Sequence, residues 1–171
     1  MWGCRSFERV AIIGGGSWGT ALAISLARRG AAVRLWAREP EVVEGIRATR
    51  RNPWYLADLE CPASVHATGD PDEAVTGADL VIVAVPSEFF ETTLKQFSRI
   101  PAGAPIVSAT KGLDPTRHVR MTELLRELFP SAPVAALSGP TFAREVALGR
   151  PTACVIASTD DALAARLQAG L

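Results

Sequence analysis

A doubly wound α/β fold, a mainly parallel sheet with helices on both faces, is predicted by three observations. Short apolar runs alternate with helical patterns along the whole chain, and each strand–helix–strand passage is a crossover that pairs parallel strands. The first such strand runs directly into Gly14-Gly15-Gly16-Ser17-Trp18-Gly19, a GxGxxG turn that opens a helix. The 171 residues, 48% of them hydrophobic, suffice for one domain of ordinary size with a sizeable core and exclude wholesale disorder.

Each element follows from local pattern. Val10-Ala11-Ile12-Ile13 reads as a buried strand. From Ser17 to Arg29, Trp18, Leu22 and Leu26 recur near helical spacing, and Gly30 stops the helix. Val33 to Trp36 is a second strand, and Pro40 opens a helix whose apolar face carries Val43 and Ile46. Asn52 to Ser64 is a Pro- and aromatic-rich loop, followed by a short strand near Ser64–Thr68 and a brief helix from Asp70 to Thr76. Asp79 to Val85 is the most apolar strand, with both faces covered. A helix is predicted over Ser87–Ser98, a strand over Pro105–Thr110 and a helix over Thr116–Phe129, where Met121, Leu124, Leu125 and Leu128 share a face. Val134–Leu137 and Ala153–Ala157 are further strands, and Asp160–Ala169 is the last helix. No strand follows to use that final crossover, so residues 1–171 read as one dinucleotide-binding domain truncated at its C-terminal end, the front of a longer polypeptide.

Composition narrows the classes. Eighteen Lys+Arg balance eighteen Asp+Glu, which argues against a partner bound by phosphate neutralisation such as nucleic acid. No apolar run approaches the roughly 18–20 residues of a membrane span. The start Met1-Trp2-Gly3-Cys4-Arg5 lacks the apolar stretch of a secretion signal. Cys4, Cys61 and Cys154 are odd in number and far apart, pointing to neither a disulfide framework nor a zinc site. The expected location is the cytoplasm.

In the glycine-rich turn, Gly14 permits the tight bend, Gly16 lets backbone approach a pyrophosphate, and Gly19 allows close helix–strand packing. The helix N-terminus offers unpaired N–H groups and partial positive charge to phosphates. A structural turn or a methyltransferase-type nucleotide pocket is the competing account. Trp18 suits either a core position or a cofactor contact. At the end of the second strand stands Arg38, which suits a 2′-phosphate, followed by Glu39, which suits a ribose 2′-hydroxyl. NADP(H) is therefore favoured and NAD(H) allowed; a solvated loop charge is the other reading of Arg38.

Several segments then coincide: Gly14 to Leu22 (GGGSWGTAL), Leu35-Trp36, Asn52-Pro53-Trp54-Tyr55-Leu56, Val85-Pro86-Ser87, Ala109-Thr110-Lys111-Gly112-Leu113 and Ser138-Gly139-Pro140-Thr141-Phe142-Ala143. With them the chain resembles, over nearly its whole length, the N-terminal, Rossmann-like domain of the bacterial NAD(P)-dependent glycerol-3-phosphate dehydrogenases. Neighbouring reductases usually share only the first segment.

The resemblance implies hydride transfer between a nicotinamide cofactor and dihydroxyacetone phosphate or sn-glycerol 3-phosphate, supplying glycerophospholipid synthesis. It assigns cofactor contacts to Gly14, Gly16, Ser17, Trp18, Gly19, Arg38, Tyr55, Lys111 and Ala143, and substrate contacts to Lys111, Gly139 and Thr141. Pro86 and Ser87 would line the adenosine side. Read without the family, Tyr55 is a loop-anchoring aromatic, Lys111-Gly112 an exposed turn, and Pro140-Thr141 a helix start with Thr141 near the cap. His66 and His118 fall in no family motif and read as structural or solvated. The family's general acid/base lysine belongs to a helical domain expected beyond Leu171, so no catalytic residue is assigned here and the 171 residues alone should turn over negligibly. The oligomeric state is left open, homo-oligomers included. Two alternatives remain: a dinucleotide-binding module without catalysis, and a reductase of another small carbonyl substrate.

Overall fold

The computed structural model describes residues 7–171; Cys4 and the Met1–Arg5 stretch lie outside them. The chain runs β1 (Arg9–Ile13), α1 (Ser17–Arg28), β2 (Ala32–Trp36), α2 (Pro40–Thr49), β3 (Val65–Thr68), α3 (Pro71–Val75) and β4 (Leu80–Val83). It continues through a 3₁₀ turn (Ser87–Phe89), α4 (Phe90–Leu94), β5 (Ile106–Ser108), α5 (Met121–Leu128), β6 (Val134–Ser138), α6 (Ala143–Ala147), β7 (Val155–Ser158) and α7 (Asp161–Gly170). The strands form one sheet in the order β3-β2-β1-β4-β5-β6-β7, with every pairing parallel except β6 with β7.

Strand residues alternate between two cores, as a period of two requires. Val10 and Ile12 join Val33, Leu35, Ile82 and Val107 beneath α1, α2, α6 and α7. Ala11 and Ile13 join Val81, Val83 and Ile106 beneath α3, α4 and α5. All four residues of β4 are buried, which is why that strand reads as a continuous apolar run. Among the described residues no helix is long and apolar enough to cross a membrane. Cys61 is buried and Cys154 exposed, both as free thiols.

The structure corrects four expectations. The helix foreseen from Thr116 begins at Met121. Asp114, buried, accepts hydrogen bonds from the Thr116 and Arg117 amides and caps one isolated turn, but His118 at φ 55° turns the chain so that Leu113 bridges to Arg120, which keeps the turn from running on into the helix. The helix over Ser87–Ser98 shrinks to the 3₁₀ turn and the five residues of α4. The helix start read at Pro140-Thr141 falls later, at Ala143, with Phe142 at the cap and Thr141 next to it. Finally, β7 is antiparallel. α6 has only five residues, and Gly149 at φ 73° turns the chain back. It thus re-enters the sheet at the end where it left: a Cβ on Gly139 would lie 2.7 Å from the Ala153 carbonyl oxygen.

Candidate functional site

The strand order reverses between β1 and β4: from β1 the chain progresses outward to β2, and from β4 in the opposite direction. Crevices at such a switch point, beyond the carboxyl ends of the strands, are where ligands bind in this architecture. A cavity of about 470 Å³ lies there, walled by the Gly14–Trp18 turn, Arg38, Glu39, Tyr55, Val85, Pro86, Phe89, Thr110 and Lys111. Its size suits a small-molecule ligand.

The three motif glycines have different physical reasons. Gly14 has φ 120°, donates its N–H to the Trp36 carbonyl at 3.0 Å, and would place a Cβ 2.5 Å from the Ala84 oxygen. Gly19 carries α1 against the turn so closely that a Cβ would fall 1.8 Å from the Gly14 oxygen. Gly16 is unlike both. Its φ of −71° suits any residue, and a Cβ there would meet no protein atom within 4 Å. It lines the cavity and caps the twelve-residue α1 with no side-chain hydrogen bond, and no acidic residue stands in the first turn. Positive end charge and unpaired N–H groups therefore meet open space, an arrangement that fits the pyrophosphate of a dinucleotide.

Of the sequence-predicted residues, Gly14, Gly16, Ser17, Trp18, Arg38, Tyr55 and Lys111 come together around this one cavity. Pro86 joins them, and Ser87 does not. Arg38 forms an ion pair with Glu39, at 2.8 Å, and its guanidinium lies 5.6 Å from the centroid of the Phe89 ring. An exposed guanidinium held over an aromatic face leaves a flat, cationic mouth to the cavity. Gly139, Thr141 and Ala143 lie outside the cavity wall. The link is Lys111, whose Nζ donates to the Thr141 carbonyl at 3.3 Å, so the ammonium stands between the cavity and the Gly139–Ala143 segment. His66 and His118 are both exposed and line none of it.

Outside the cavity, an ion pair ties α6 to the aromatic loop. Arg144 of α6 grips Asp58 of the aromatic loop through two hydrogen bonds of 2.9 and 2.6 Å. That guanidinium holds the Asp58 carboxyl below its ordinary value. Burial pushes the Cys61 thiol up, which leaves it unreactive. Sequence reasoning missed Phe89 and Thr93, both in the cavity wall. Neither belongs to a motif, and a helical pattern over Ser87–Ser98 does not tell which side faces a ligand.

The sequence profile described as "NAD-dependent glycerol-3-phosphate dehydrogenase N-terminus" matches residues 9–164. A glycerol-3-phosphate dehydrogenase [NAD(P)+] of Rhodospirillum rubrum is 47% identical over 161 residues, covering 94% of this chain and 46% of that protein. The corresponding protein of Corynebacterium jeikeium is 44% identical over 166 residues, covering 95% and 50%. The crystal structure of glycerol-3-phosphate dehydrogenase from Coxiella burnetii superposes with a TM-score of 0.87 at 35% identity, covering 94% of this chain and 49% of that one. The chain thus spans about half the length of the curated relatives it matches. The chain belongs to the family of the NAD-dependent glycerol-3-phosphate dehydrogenase N-terminus.

Proposed function

We propose that this chain is the cofactor-binding half of an NAD(P)-dependent glycerol-3-phosphate dehydrogenase, interconverting dihydroxyacetone phosphate and sn-glycerol 3-phosphate for glycerophospholipid synthesis. The observation that carries this reading is Gly16: conformationally ordinary, uncrowded, and open to the cavity at the uncapped start of α1. Family membership supplies the substrate class.

The bound nicotinamide would supply the hydride; the chain's own residues bind and orient. The Gly14–Trp18 turn takes the pyrophosphate on backbone N–H groups. Arg38 meets a 2′-phosphate, for which it must exchange its Glu39 partner, while Glu39 can accept from a 2′-hydroxyl; the pair supports use of both cofactors, with NADP(H) favoured. Tyr55, in the same cavity wall, contacts the cofactor. Lys111 brings the ammonium that holds an anionic triose phosphate or polarises its carbonyl, with Gly139 and Thr141 beyond it and Ala143 beside the cofactor. Proton transfer is assigned to a lysine outside these 171 residues.

Binding is readable directly, because Trp18 and Trp36 both line the cavity. Titration with NADPH should quench tryptophan emission. In the NADPH-saturated chain, Lys111→Ala should weaken glycerol 3-phosphate binding by about tenfold, the loss of one charge-assisted contact. A loss confined to the cofactor would speak for a reductase of another carbonyl substrate.

A further inference from the structure

Asn52 is completely buried in a loop whose neighbours Pro53, Trp54 and Tyr55 are exposed. Its carboxamide is fully used. Nδ2 donates to the Gly15 carbonyl at 2.8 Å and to Thr20 Oγ1 at 2.9 Å. Oδ1 accepts from the Trp54 and Tyr55 amides, both at 3.1 Å. Only one orientation of the group satisfies these partners. Reversed, it would set an oxygen against a carbonyl and an NH₂ against two N–H donors.

The consequence runs through the Gly15–Gly16 peptide. In a trans peptide the C=O and the following N–H point in opposite directions. By drawing the Gly15 oxygen to itself, Asn52 turns the Gly16 N–H the other way. Among the described residues that N–H has no hydrogen-bond partner in the protein, and Gly16 borders the cavity. The other half of the same carboxamide holds the backbone of Tyr55, which lines the cavity as well. Thr20, in the first turns of α1, is the third point of attachment and itself donates to the Gly15 carbonyl at 3.3 Å.

We infer that Asn52 is the positioning residue of the dinucleotide cleft, aiming the Gly16 N–H and fixing Tyr55 with one side chain. The inference rests on the proposed reading of the cavity as a dinucleotide site. It touches the turn, which would hold the pyrophosphate common to both cofactors, and not the Arg38 end. Loss of Asn52 should therefore weaken NADPH and NADH by the same factor, leaving their ratio unchanged.

The test is Asn52→Asp, the same shape with a carboxylate in place of the donor. Dissociation constants for NADPH and NADH are measured by tryptophan quenching at low temperature, at a urea concentration where the variant is folded, beside the urea unfolding midpoint. The expected result is a rise of about tenfold in both constants. A midpoint that falls while the constants of the folded molecules stay unchanged makes Asn52 merely structural and overturns the inference, as does a change in the NADPH:NADH ratio. Should Asn52→Asp fail to fold, Thr20→Val removes one acceptor of the same group and should raise both constants about threefold; unchanged constants overturn the inference. If the unsubstituted chain binds neither cofactor, the dinucleotide reading falls, and the inference with it.

Discussion

Gly14 and Gly16 stand two residues apart in one turn, yet a methyl group would act differently at each. At Gly14 it meets both a left-handed φ and the Ala84 carbonyl. Gly14→Ala should lower folding stability by about 1–3 kcal/mol. At Gly16 it enters empty space with no backbone strain. Gly16→Ala should move the urea midpoint little and raise the NADPH dissociation constant by tenfold or more, roughly the cost of obstructing one phosphate contact. Denaturation and cofactor titration of the two variants separate a glycine kept for the fold from one kept for a ligand. The motif made both positions legible in sequence, because its spacing encodes a turn and a helix start. The Asn52–Leu56 segment marked Asn52 in sequence but not its grip on Gly15 and Thr20, which lie more than thirty residues away.

At the scale of the element, α5 shows how a start signal is won. Its apolar face, Met121, Leu124 and Leu125, is buried as the periodicity requires. The start falls five residues later than the periodicity suggests because Asp114 caps a separate turn over Thr116–His118, and His118, at φ 55°, redirects the chain before Arg120. Glu123 then secures the true start, its Oε2 accepting from the Arg120 N–H at 2.8 Å. The Arg120 side chain first, and that backbone N–H second, hold the Glu123 carboxyl at about 2 against an ordinary 4.5. A depressed folded value means stability present above the unfolded value and lost as pH falls through the folded one. The excess stability of the unsubstituted chain over Glu123→Gln should thus be full above about pH 5 and fade toward pH 2, followed by thermal midpoints across that range. The exposed position of this pair keeps the effect small and salt-sensitive.

Across the whole molecule, the cavity exists because β1 and β4 send their chains in opposite directions, leaving a crevice between the Gly14 turn and the Ala84–Pro86 segment. The segment Gly139–Ala143 lies outside that crevice and reaches it through Lys111. The proposed division of labour has a kinetic signature. The 171 residues should bind NADPH yet reduce dihydroxyacetone phosphate negligibly, since general acid–base catalysis alone contributes roughly 10²–10⁴-fold. A NADPH-consumption assay on this chain checks that, and normal turnover would place the proton donor among the residues described here.

By itself the sequence determined the strand–helix alternation, the two-sided burial of β4 and the place of the glycine turn that opens α1. All three are written in short-range pattern: period, apolar run and glycine spacing. It also named most of the cavity wall, because those residues sit in the turns that leave strand ends. Tertiary structure alone decided the antiparallel return of β7, the placing of Phe89 under Arg38 and the grip of Asn52 on Gly15. Each depends on which distant groups meet once the sheet has formed, and a buried amide finds its partners in space, not along the chain.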